Sequence, residues 1–83
     1  MTNEKLKKLL IEILGWYGAF AILGAYFLVS FNTISAESLL FQLLNASGAI
    51  GLLVIASYKG VKQAVLVNAV WLIIALVAII NLF

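Results

Sequence analysis

Five side chains in long uncharged stretches of this sequence have the chemistry to bind something: Tyr26, Gln42, Asn45, Asn68 and Trp71. A phenol, three amides and an indole offer hydrogen bonds to a small neutral solute, or bond one helix to another. They do not assemble a nucleophile, a base and a group to orient the base, and the chain has neither Cys nor His. An enzyme is therefore not expected, nor a metal centre or other cofactor. No charged residue lies between Glu12 and Glu37, between Glu37 and Lys59, or after Lys62, so nothing offers itself for an ion path.

The elements that must position these groups follow from composition. Of 83 residues, 66% are hydrophobic and 10% charged, and there is no Pro. A soluble domain this small could not cover so much apolar surface. The expected fold is all-α: an integral membrane three-helix bundle with spans near 13–31, 37–58 and 63–82, each about the 20 residues a bilayer requires. Residues 13–83 form one transmembrane domain behind a basic lead-in, 1–12.

The third span has the clearest one-sided pattern. Ala64, Asn68, Trp71, Ala75 and Ala78 share one side, and Leu66, Val70, Ile73, Val77 and Ile80 the other. Small residues admit a neighbouring backbone and polar ones need partners, so the first side faces protein and the second lipid. In the second span, Ser38, Gln42, Asn45, Ala49 and Ala56 make a polar and small side, while Ser47 and Gly51 make a small-xxx-small pair elsewhere. Two packing faces suggest more than two helices, and so a dimer. In the first span, Glu12, Gly15, Ala19, Tyr26 and Ser30 line one side, which ordinary helix packing explains; Gly15, Ala19, Gly48 and Gly51 are the expected small packing positions.

The flanks and turns complete the pattern. Lys5, Lys7 and Lys8 lie beside Leu6, Leu9 and Leu10, a lead-in suited to the headgroup level that runs straight into the first span. A secretory signal peptide would need an apolar region that Glu12 interrupts. Lys8, one turn before Glu12, is its expected ion-pair partner. Ser35 is the expected cap of the second helix, with Glu37 in its first turn, and Gly60 suits that helix's C-terminus. All five Lys fall at the lead-in and at the turn 59–62, on one side of a three-span chain. The positive-inside rule puts the N-terminus in the cytoplasm and the C-terminus outside. The basic clusters are read as topology and not as nucleic-acid binding.

Depth limits which polar groups can meet. At about 1.5 Å per residue, Tyr26 and Asn45 lie roughly 6 Å and 4 Å outward of their span midpoints, and Asn68 roughly 7 Å inward. Tyr26 and Asn45 can share a hydrogen bond. Asn68 needs a backbone carbonyl, its symmetry mate, water or a ligand.

The pattern GWYG at 15–18, AY at 25–26, Ser30, SLLFQLLN at 38–45, GA at 48–49 and VNAVW at 67–71 resembles a family of small uncharacterised bacterial integral membrane proteins. That resemblance implies the bacterial cytoplasmic (inner) membrane. In it, Phe41 stands where Tyr is frequent and Gln63 near a frequent Pro. More distantly the chain is similar to the SemiSWEET and PQ-loop transporters, three-helix units that pair into a parallel dimer around a substrate path. That similarity implies a third helix packed between the first and second, with Asn68 at the pocket position. It departs from the pattern in lacking the Pro-Gln kink, in Leu52 at the pocket Trp position, and in its charge-derived topology. The implied function is a half-transporter that moves or binds a small neutral solute as a homodimer. The alternative is a non-transporting accessory or structural subunit of a larger membrane complex.

Overall fold

A computed structural model describes residues 2–83 as three helices: α1, Asn3–Ser30; α2, Leu39–Lys59; and α3, Lys62–Leu82. All three are long and apolar enough to cross a membrane. The chain is all-α, as expected.

The helix ends are set by local chemistry. Thr2 caps α1, its hydroxyl accepting from the Lys5 amide at 3.3 Å, and Glu4 sits in the first turn against the dipole's positive end. A helix of 28 residues is about 42 Å long, which matches the molecule's 43 Å longest dimension. The basic lead-in is therefore the start of α1, continuous with the span. At the other end of α1, Asn32 takes a left-handed conformation (φ 60°), with Thr33 N–H bonded to Leu28 O and Asn32 N–H to Val29 O. Gly60 (φ 71°) does the same after α2, with Val61 N–H on Ala56 O and Gly60 N–H on Ser57 O. Both are Schellman closures, and they use up the last carbonyls before each turn.

The cap of α2 differs from expectation. Ser38, not Ser35, accepts from the Phe41 amide (3.2 Å), so α2 begins at Leu39. Ser35 instead holds a turn ahead of the helix: its Oγ accepts from the Glu37 amide and its carbonyl from the Ser38 hydroxyl. Two serines three residues apart compete for one role, and the later one wins because the earlier is engaged in the turn.

The order of the helices in space corrects a second expectation. α2 lies in the middle, packed against both neighbours, and the backbones of α1 and α3 nowhere come together. The SemiSWEET-like arrangement, with the third helix between the other two, is not the one adopted. Short turns explain this order, since each helix simply packs antiparallel on the one before it.

The α1–α2 seam is made of glycines. Gly15, Gly18, Gly48 and Gly51 are all buried. A methyl group at Gly18 would run into the Gly48 carbonyl oxygen, and one at Gly51 into the Leu14 carbonyl oxygen. Backbones this close gain dispersion contacts, the chief attraction that a bilayer would leave between helices. The buried side of α1 is Gly15, Gly18, Ala21, Ile22 and Ala25. Tyr26 and Ser30, expected on that side, are exposed. The face is thus rotated from the expected one, because residue size and not polarity decides which side can approach a neighbour.

The second seam uses the stripe read from the third span. Asn68 and Ala75 are buried in α3 and Ala64 and Ala78 partly so, whereas Trp71, expected on the same side, is 41% exposed; Leu66, Val70, Ile73, Val77 and Ile80 are exposed as expected. Opposite them, α2 turns the side carrying Asn45, Ala49 and Ala56; Ala49 is 0% exposed. The two packing faces of α2 are therefore both occupied within one chain. They no longer argue for a second copy.

Candidate functional site

Toward the 31–38 turn, α1 and α3 flank a cleft over α2. Its volume is about 190 Å³, and it is lined by Ile22 and Tyr26 from α1, Phe41, Gln42 and Asn45 from α2, and Trp71, Ile74 and Ala75 from α3. The cleft exists because the backbones of α1 and α3 stay apart: each packs on its own side of α2 and leaves a wedge between them. Its size suits a few water molecules or a very small solute, below the usual range for drug-sized ligands.

Four of the five chemistry-bearing residues meet here. Tyr26, Gln42, Asn45 and Trp71 supply a hydroxyl, two amides and an indole N–H, with no charge among them. Gln42 is held by its own turn, Nε2 donating to Ala36 O at 3.2 Å. Tyr26 packs edge-on against Phe41, ring centroids 6.2 Å apart at 89°, a geometry worth about 0.5–1.5 kcal/mol beyond area burial. The ring of Tyr26 is thereby fixed against α2. No hydrogen bond joins Tyr26 to Asn45 among the described residues, although both line the same cleft.

Asn68 is elsewhere. It lies one turn inward of Trp71, is only 7% exposed, and does not line the cleft. Its Nδ2 donates to Ala64 O, one turn back on its own helix, at 2.9 Å. The backbone carbonyl is thus the partner found, from among those the depth argument allowed. The amide's other end, Oδ1, is buried with no hydrogen-bond partner. An unsatisfied buried acceptor costs about 1–3 kcal/mol, so Asn68 makes the α2–α3 seam weaker than its small residues alone would.

At the opposite end of the bundle, Glu12 pairs with Lys59, Nζ to Oε1 3.0 Å, and not with Lys8. A cross-helix partner is favoured because Lys59, the last residue of α2, lies level with Glu12, whereas Lys8 belongs to the exposed first turns of α1.

Sequence reasoning missed three contributors. Ile22, Phe41 and Ile74 complete the cleft as its apolar walls; Phe41 alone was visible, inside the SLLFQLLN block. Gly18 makes a close backbone crossing with Gly48, and the paired Gly-x-x-Gly spacings at 15–18 and 48–51 were its signal. The Tyr17 hydroxyl and Ser47 Oγ share a hydrogen bond of 2.6 Å across the α1–α2 seam, which no periodicity announces.

No curated protein and no solved structure matches the chain, so the likeness to the SemiSWEET and PQ-loop transporters finds no support there. A protein-family model does match, over residues 11–83, which takes in all of α2 and α3 and all but the first turns of α1. With nearly the whole chain covered, including both glycine pairs and every residue of the cleft, it belongs to that small, uncharacterised family.

Proposed function

We propose that the chain is an integral protein of the bacterial cytoplasmic membrane, N-terminus inside and C-terminus outside, whose outer cleft holds a small neutral solute. The observation that carries this reading is the convergence of Tyr26, Gln42, Asn45 and Trp71, from all three helices, on one uncharged cleft. Amides and an indole N–H at membrane depth are costly without partners, and a hydroxylated or amide-bearing solute supplies them. Charge distribution supports the orientation: all five Lys lie at the end opposite the cleft, and the 31–38 turn carries only Glu37. The reading includes no catalytic step.

Movement of the solute through the membrane requires more than one chain. Inward of the cleft the bundle is closed, by Ala49 and Asn68 (0% and 7% exposed) and by the Gly18–Gly48 crossing. A parallel homodimer, its copies facing across the open α1–α3 side, would extend the cleft into a path. The closure itself favours a second reading, in which the chain is an accessory subunit and the cleft receives a side chain of a partner protein. Reconstituted liposomes separate the two. Saturable uptake of a small polyol or amide, abolished in Asn45→Leu, supports the solute reading. Absence of uptake and of any solute-dependent thermal shift leaves the accessory role.

A further inference from the structure

A second cleft, of about 230 Å³, opens at the other end of the α1–α2 seam, lined by Glu12, Gly15, Trp16, Ala19, Ile55 and Lys59. Its mouth carries one positive and one negative charge, 3.0 Å apart, and each side chain stays open to another partner, with Lys59 55% and Glu12 35% exposed. Its remaining lining is apolar: Ile55, packed directly on Gly15, then Ala19 and the Trp16 ring, which stacks on Phe20 at 6.0 Å. The site thus combines a paired charge at the level of a helix end with an apolar slot running along α1.

We infer that this cleft seats one phospholipid whose headgroup carries both a phosphate and a primary ammonium, as in phosphatidylethanolamine. The inference rests on the chain's spanning a bilayer. The phosphate accepts from Lys59 Nζ and from the Trp16 indole N–H, the ammonium donates to the Glu12 carboxylate, and an acyl chain lies over Gly15, Ala19 and Ile55. Charge complementarity selects the headgroup. A purely anionic lipid would set a negative charge beside Glu12 with nothing to offset it. A choline headgroup has no N–H to donate. A headgroup with both charges satisfies both residues, so their own pair can open without leaving either charge alone. The apolar lining selects a lipid over a soluble zwitterion, which would leave the slot unfilled. Lys5, Lys7, Lys8 and Lys62 lie outside the cleft and attract any anionic surface without this selectivity.

Native mass spectrometry of delipidated protein tests it, with phosphatidylethanolamine, phosphatidylcholine and phosphatidylglycerol of identical acyl chains. Wild type should retain phosphatidylethanolamine over the other two by about two- to five-fold, the range that exposed charge pairs allow. Glu12→Gln should erase the preference over phosphatidylcholine, and Ala19→Leu, which fills the slot but keeps both charges, should lower retention of all three. Equal retention of the three lipids by wild type would overturn the inference, as would a preference that survives Glu12→Gln. Alkaline extraction of the membrane fraction keeps the two premises apart. Release of the chain there removes the membrane reading itself, whereas retention without lipid preference removes only the headgroup site.

Discussion

A methyl group added at Gly18 should separate α1 from α2, and the size of the effect can be worked out beforehand. The obstruction is the Gly48 carbonyl oxygen, part of a helix backbone that has no rotamer by which to move aside. Ordinary carbon–oxygen contacts are about 3.3–3.6 Å, so the helices must part by roughly 1 Å at this crossing. Overpacking of this kind costs about 1–3 kcal/mol. Against it stands the helix preference of Ala over Gly, about 0.5–1 kcal/mol. Gly24, in the same helix, supplies the control: a methyl group there meets nothing within 4 Å. Gly24→Ala carries the same helix-preference gain with no clash, so the difference between the two variants isolates the clash, at about 1–3 kcal/mol. Reversible unfolding in mixed detergent micelles reads both. If Gly18→Ala matches Gly24→Ala within about 0.5 kcal/mol, the glycine seam is not what holds α1 to α2.

Four further outcomes follow from features described above. Ser38→Ala should cost about 1 kcal/mol in the same unfolding assay, and more than Ser35→Ala, because Ser38 alone caps α2. Asn68→Ala should leave stability unchanged or raise it, by up to about 1–3 kcal/mol, since it removes a buried acceptor without a partner and an amide that donates only within its own helix; a loss near 2 kcal/mol would mean that Oδ1 has a partner beyond this chain. Gly60→Ala should lower stability by about 1–2 kcal/mol through its left-handed backbone, and Asn32→Gly should be neutral or slightly stabilising. Thr2→Cys in intact cells should react only with membrane-permeant thiol reagents; labelling by an impermeant reagent would reverse the proposed orientation.

How far the sequence disclosed this arrangement depended on how many neighbours each helix has. α3 has one, so its small residues gathered on a single stripe and its branched residues on the other, and the periodicity was unambiguous. α2 has two, and both of its faces were visible as separate patterns. Nothing in those patterns says which helix each face meets, so one face suggested a second copy when α1 and α3 suffice. α1 was misjudged by its hydroxyls. Tyr26 and Ser30 are exposed in the last two turns of α1, where a polar group does not need burial. Gly18, Ala21 and Ala25 were the better guide, because closeness of approach depends on size. The cleft was legible in its polar members but not in its position, since that depends on α1 and α3 failing to meet. Glu12 found Lys59 and not Lys8 because α2 ends at the depth where Glu12 enters, a register that spacing along one helix cannot reveal.

The central place of α2 also bears on how the chain assembles. With the backbones of α1 and α3 held apart, close backbone packing joins only helices adjacent in sequence and linked by short turns. Closing such short loops loses little entropy, and topologies rich in local contacts fold fast. α1 and α2 can zip along their glycines without any contribution from α3. α3 then docks on a surface that already exists. The cleft near the 31–38 turn, which needs walls from all three helices, is consequently the last feature to form.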